Sequence, residues 1–294
     1  MNIRWKICPE WVLRFGLTAI LGCCSPVLAD EPSAYVTDRY VQYTFNIENT
    51  GNGLVTNAKF WCQAPVVLTP LQKTVRVQTH PAAKTQGDEW DNQILYFDIT
   101  NLPPFGTEII QVEAELKYAG EPQVMAMGPM DVFLNPEPFV ESAAPEIQSV
   151  AAQIPRGKPH VMAHQIFRWI AANVKNAGYE PEDLGALWAL RNKKGDCTEQ
   201  SYLFTALCRA CGIPARVIAG YICDRNCRLN PTAFHNWAEY YDGEHWQLVD
   251  VQLGEFESKS PNYVATRVFA GTEPGFHRFR IEGKGVKATM QGVE

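Results

Sequence analysis

The chain has no basic stripe and no long run of charge of one sign. Its 26 Lys and Arg are set against 32 Asp and Glu, for a formal charge of −6 at pH 7. A nucleic-acid surface needs clustered positive charge, so no nucleic-acid partner is expected. The marks of disorder are also absent, since 46% of the 294 residues are hydrophobic and 20% are charged. Past the N-terminal region no apolar stretch reaches the ~20 residues that a membrane helix requires, so no membrane span is expected. At roughly 150 residues per domain, the length suggests about two domains, each able to bury a core without staples or metal.

The first 29 residues read differently from the rest. Arg4, Lys6 and Arg14 precede the apolar stretch Phe15 to Cys24, which exits through Val27-Leu28-Ala29. That is the plan of a secretory signal peptide over residues 1–29, and it predicts a secreted or periplasmic protein. A second reading of the same segment takes Ile20-Leu21-Gly22-Cys23 as a lipoprotein box, with a lipid anchor at Cys23. Export would discard Cys8, Cys23 and Cys24 of the nine cysteines, leaving Cys62, Cys197, Cys208, Cys211, Cys223 and Cys227. These are too few for a disulfide scaffold in a chain of this size.

Two blocks with different periodicities follow. From Tyr35 to about Met130, short β-rich runs such as Tyr40 to Phe45, Thr74 to Val77, Ile94 to Ile99 and Glu108 to Ala114 are separated by turn clusters. This predicts a β-sandwich over residues 30–134. Proline-rich sequence from Asn135 to Pro145 suggests a linker, taken as 135–159, before a second domain at 160–294. There, Ala163, Ile166, Phe167, Ile170, Ala171 and Val174 form one helical stripe. Another helix is expected from Asp196, because Asp196-Cys197-Thr198-Glu199 has capping-box spacing, and Gly212 with Pro214 ends it. Strands are expected at Ala215 to Tyr221, His235 to Tyr241, Glu244 to Val251, Val264 to Phe269 and Phe276 to Ile281, which makes the second block α+β.

Two of these local features carry chemistry. With Asp196 as cap, Cys197 occupies the first helical position, where unpaired N–H groups and the positive end of the macrodipole favour a thiolate. The same amides could hold a carbonyl oxygen that becomes negative during attack. In the hairpin, a two-residue turn at Asp242-Gly243 sets Tyr241 against Glu244, and His235 then falls opposite Asp250. A carboxylate there can hold one imidazole nitrogen and leave the other as base. A one-residue slip would turn that side chain to the opposite face.

Gly195-Asp196-Cys197-Thr198-Glu199, Leu207-Cys208-Arg209-Ala210-Cys211-Gly212-Ile213-Pro214-Ala215-Arg216-Val217, His235-Asn236-Trp237-Ala238-Glu239 and Trp246-Gln247-Leu248-Val249-Asp250 resemble, in this order, the transglutaminase-like superfamily. The resemblance spans roughly residues 160 to 252. It implies a papain-like α+β domain after the β-sandwich, with Cys197 as nucleophile, His235 as general base and Asp250 as orienting acid. Trp188 and Trp237 resemble aromatic positions near the family's cleft and are carried over as substrate-binding residues. The implied chemistry is thiol acyl transfer on peptide or side-chain amides of a protein or peptide substrate, without cofactor or metal. Hydrolysis is the favoured outcome, amine-accepting crosslinking the alternative, and a polypeptide-binding module without catalysis the reading from another class.

Other constellations have plainer readings. Cys208, Cys211, Cys223 and Cys227 have spacings that suit zinc, but a local Cys223–Cys227 disulfide stiffening the approach to His235 is preferred. His160 and His164 could face one way on a helix, yet no third ligand is apparent. Arg191, Lys193 and Lys194 could steer acidic groups to Cys197 or simply be solvated, and the sequence does not separate the two.

Overall fold

The computed structural model describes residues 34–125, 130–270 and 278–292. The expected signal segment and Cys23 lie outside the described residues. Six strands open the fold: β1 (Tyr35–Asn49), β2 (Ala58–Ala64), β3 (Gln72–His80), β4 (Lys84–Gly87), β5 (Gln93–Ile99) and β6 (Thr107–Ala119). In β1 the buried residues Val41, Tyr43, Phe45 and Ile47 alternate along the strand, as do Ile110, Val112, Ala114, Leu116 and Tyr118 in β6. A period of two is what a sheet with one covered face requires. β1, β6 and β3 make one sheet and β2, β5 and β4 another. Their inner faces share a core in which Phe45 and Phe60 meet at a ring-centroid separation of 4.9 Å. This is the expected sandwich.

The expected linker is packed structure. Pro145 starts a helix, α1 (Pro145–Ala151), whose Ile147 and Ala151 are buried together with Val140 and Ile154 in the core of the following block. Asn135 and Glu137 accept from the Arg209 guanidinium at 2.6 and 3.0 Å. Two turns of helix are too short for a periodic signal, and the prolines mask them in the sequence.

The second block continues with α2 (Pro159–Asn173), β7 (Lys175–Asn176), α3 (Ala186–Asn192), β8 (Lys194–Gly195) and α4 (Cys197–Ala210). Residues 198–209 of α4 are all buried, so this helix is enclosed rather than amphipathic. It lies on an antiparallel sheet made from β9 (Ala215–Ile222), β11 (Phe234–Tyr241), β12 (Trp246–Asp250), β13 (Glu255–Phe256) and β14 (Tyr263–Val268), β10 (Cys227–Arg228) lying elsewhere. One face of this sheet turns Val217, Ala238, Tyr240 and Val249 into the helical core. The other turns Ile218, Trp237, Leu248 and Tyr263 onto Val66 and Leu71, between the sheet and the sandwich. Gly220 is required where β9 meets β14, because an added Cβ would collide with the Val264 carbonyl.

The division at 135–159 is not respected by the strands. β10 joins the first sheet parallel to β1, pairing Cys227 with Val41. The last two strands, β15 (Phe279–Glu282) and β16 (Val286–Met290), pair with β2 and β1. Residues expected to belong to the second domain therefore complete the sandwich, and from Ala34 on the chain is one compact unit. Burial explains this: Met290 and Cys223 sit in the sandwich core, which β1 to β6 alone leave open at that side. Among the described residues no helix is long and apolar enough to cross a membrane.

Candidate active site

Cys197 is the first residue of α4, and its helix start is built as the sequence spells it. The Asp196 carboxylate accepts from the Thr198 N–H at 2.7 Å, and the Glu199 carboxylate accepts from the Asp196 N–H at 3.2 Å, completing the capping box. The box occupies the N–H groups of Thr198 and Glu199. Of the first-turn amides expected to hold an oxyanion, only that of Cys197 then has no partner among the described residues.

The same two carboxyls reach further. Asp196 also accepts from the Glu180 N–H at 3.0 Å, and Glu199 from the Leu184 N–H at 3.1 Å, which ties the segment 180–184 to the start of α4. Glu199 is fully buried, and burial first, then its bond to Asp196, hold its carboxyl above the usual carboxylate range. Gly195 makes room for it, since a Cβ there would stand 2.5 Å from the Glu199 Cβ.

Cys197 is partly exposed, whereas the other free thiols among the described residues, Cys62, Cys208 and Cys211, are buried, and burial pushes each of those three up. Cys197 lies close enough to His235, near the start of β11, to help raise the pKa of its imidazole. His235 Nε2 lies 2.6 Å from Asp250 Oδ2 at the end of β12, which leaves Nδ1 clear of the carboxylate. Burial pushes the imidazole down, but the bonds to Asp250 and Cys197 outweigh it and raise its pKa to about 9. Asp250 is 1% exposed and fully engaged, accepting from Tyr263 Oη at 3.0 Å and the Leu253 N–H at 3.1 Å. Asn236 donates to Thr198 Oγ1 at 2.8 Å and so clamps β11 to the start of α4.

The hairpin register differs from expectation. Tyr241 pairs with Trp246, not Glu244, because Asp242 accepts from the N–H groups of both Glu244 and His245 at 2.8 Å and closes a four-residue loop. This register sets Asp250 beside Trp237 and makes it a diagonal neighbour of His235. A shift of two residues keeps the face, so the two side chains still meet.

Beside Cys197 opens a cleft of about 510 Å³, whose walls include Tyr179, Pro181, Thr232, Phe234, Asn236 and Arg278. Neither tryptophan carried over as substrate-binding lines it. Trp237 is 1% exposed and packs edge-on against Tyr263 at 5.0 Å, because alternation turns it to the sandwich-facing side of the sheet. Trp188 is covered by Lys194, whose ammonium stands 5.3 Å from its ring, and Lys193 lies over Trp169 in the same way. Arg191 pairs with Glu146. These cations are engaged away from the cleft. Cys223 and Cys227 form a disulfide in the approach to Pro231 and Phe234. His164 packs on Phe256, and no metal-binding cluster occurs among the described residues. Tyr263 and Arg278 were missed in the sequence, where nothing local marks them, and Glu199 was read there only as the capping-box partner. Asn236 stands in the quoted His-Asn-Trp run without an assigned part.

Residues 148–251 match the family model of the transglutaminase-like superfamily, and all three of Cys197, His235 and Asp250 fall within that match. The chain carries a transglutaminase-like domain. Among solved structures it is similar to a candidate cysteine protease from Cytophaga hutchinsonii, with TM-score 0.53 and 18% identity over 87% of this chain and 93% of that one. It is also similar to the periplasmic domain of TgpA from Pseudomonas aeruginosa, at TM-score 0.34 and 16% identity over 75% of this chain and 88% of that one, too loose a likeness to argue from. No curated protein matches the chain. The first likeness covers the sandwich as well as the transglutaminase-like domain, so the α+β architecture recurs as a whole.

Proposed function

We propose that this protein is an exported cysteine hydrolase that cleaves amide bonds of peptide or protein substrates through Cys197, His235 and Asp250. The observation that carries the reading is the buried 2.6 Å contact between His235 and Asp250, with Cys197 close enough to the imidazole to help raise its pKa. Sulfur nucleophile, proton carrier and orienting acid are thus brought together. The sulfur attacks the amide carbonyl carbon, and a carbon–sulfur bond forms while the oxygen takes up charge beside the Cys197 N–H. His235 gives its proton to the departing nitrogen as the carbon–nitrogen bond breaks, leaving a thioester. His235, now neutral, takes a proton from water as that water attacks the thioester, and the thiolate departs with the acid released. Asp250 keeps the imidazole in the required tautomer throughout. The likeness to a candidate cysteine protease supports hydrolysis over transfer to an amine. The Cys223–Cys227 disulfide fits an oxidising compartment and so supports export.

The test is incubation with a protein mixture and a tagged primary amine, followed by mass spectrometry. New chain termini that vanish in Cys197→Ala are expected. Tag on glutamine without new termini would replace hydrolysis by crosslinking. No product of either kind, with Cys197 no more reactive to iodoacetamide than an ordinary thiol, would leave a binding module.

A further inference from the structure

We propose that Arg278 reads a free carboxylate on the substrate, so that the amide attacked by Cys197 lies close to an acidic group; this rests on the hydrolase reading above. Arg278 lines the same cleft as Cys197. Its guanidinium lies over the ring of Phe234 at 5.0 Å from the centroid, and Phe234 immediately precedes His235. The residue is half-buried, yet its side chain has no ion pair or hydrogen bond among the described residues. Other enclosed arginines have polar partners: Arg209 pairs with Glu137 at 3.0 Å, Arg216 with Glu239 at 2.7 Å, and Arg39 donates to the Pro261 carbonyl at 3.3 Å. A guanidinium partly removed from water without a counter-charge is costly unless a ligand supplies one.

Its position is fixed by the sandwich. The Arg278 carbonyl accepts from the Gln63 N–H at 3.0 Å, and the next residue, Phe279, pairs with Cys62 of β2. The sandwich therefore contributes a wall of the cleft, and the return of the chain to β2 is what carries a cation there.

The chemistry of the cleft selects the kind of anion. Glu180, Asp183 and Asp196 also line it, and no lysine or second arginine does among the described residues. Asp196 is occupied by two backbone N–H groups, and Asp183 accepts from Tyr202 Oη at 3.0 Å. A dianion such as a phosphate would meet one cation and several carboxylates. A single planar carboxylate matches the guanidinium fork. It can belong to an aspartate or glutamate side chain or to a chain terminus.

Alkylation of residue 197 tests this without turnover. Iodoacetate and iodoacetamide share a leaving group and differ in the carboxylate, and both rates are read by peptide mapping of residue 197. In low salt, Arg278→Gln is expected to slow iodoacetate by ~3- to 10-fold, with the iodoacetamide rate within about twofold of wild type. Arg278→Lys should retain most of the wild-type ratio, which separates charge from folding. An unchanged ratio in Arg278→Gln would overturn the proposal. Three matched peptides then separate the sources: one with an acidic side chain and an amidated end, one with neutral side chains and a free C-terminus, and one neutral and amidated. Faster cleavage of the first or the second by wild type, lost in Arg278→Gln, supports the proposal and names the source. Equal cleavage of all three overturns it. Cleavage of none, with the alkylation ratio falling as expected, defeats the hydrolase reading while Arg278 keeps its preference for carboxylates.

Discussion

His235 and Asp250 meet diagonally across the β11–β12 hairpin, with Nε2 and Oδ2 2.6 Å apart although the two residues are not paired in register. The diagonal leaves Asp250 at the very end of β12, where it can also accept from Tyr263 and from the Leu253 N–H. The carboxylate is thereby fixed from three sides and can orient the imidazole without moving itself.

Asp250→Asn should lower kcat/KM by ~10²- to 10⁴-fold, because a neutral amide neither stabilises the imidazolium nor enforces its tautomer. With Asp250 neutral, burial is opposed only by Cys197, and the His235 pKa should fall from about 9 toward or below the ordinary imidazole value. Titration of the His235 ring protons by NMR measures this directly. A pKa that stays near 9 in the variant would mean that Asp250 is not the group holding the charge.

The same proton links stability to pH. His235 binds it more tightly folded, at about 9, than unfolded, where the imidazole titrates near 6.5. The stabilisation is therefore fully present below about 6.5 and is lost as pH rises through about 9. Urea denaturation at pH 6 and pH 9.5 should show this loss in wild type and a smaller one in Asp250→Asn. Equal slopes in the two proteins would count against the ion pair.

The candidate triad was legible because each member sits in a local pattern. The cap and Glu199 bracket Cys197 within four consecutive residues, and hairpin parity survives an error of two in loop length. The loop itself was misjudged because Asp242 uses its side chain, rather than an unusual backbone, to satisfy two N–H groups. Alternation puts Trp237 on the same face as His235, but only the packed chain shows that this face meets the sandwich. β15 and β16 are four and five residues long, and where such short strands pair is decided by the core they cover. Tyr263 and Arg278 reach the site from such distant segments, so no spacing rule could find them.

Tyr263→Phe removes one donor to Asp250 and little volume. Burial and Asp250 hold the phenol well above its ordinary range, so it is a permanent donor in the folded protein. Losing it should cost about 1–2 kcal/mol of stability, read from the urea midpoint, because a buried carboxylate is left with one bond fewer. kcat/KM should fall far less than in Asp250→Asn, since the contact to His235 remains. A loss as large as that of Asp250→Asn would give Tyr263 a part in the chemistry.

Glu199→Gln probes whether the cleft wall depends on the helix cap. The carboxyl accepts from the backbone N–H groups of Asp196 and Leu184, one per oxygen, at 3.2 and 3.1 Å. A glutamine has a single acceptor oxygen, so its amide nitrogen must face one of those donors. One bond is lost and two N–H groups are opposed, which should cost ~1–3 kcal/mol. The segment 180–184 should loosen where it is strapped to α4, and that segment carries Glu180, Pro181 and Asp183 of the cleft. His235 and Asp250 touch neither carboxyl oxygen of Glu199. KM should therefore rise several-fold with a smaller change in kcat, and hydrogen exchange should quicken at the Leu184 amide. If kcat falls with KM unchanged, the Asp196–Glu199 pair acts on the start of α4 rather than on the wall, and the strap is not what shapes the cleft.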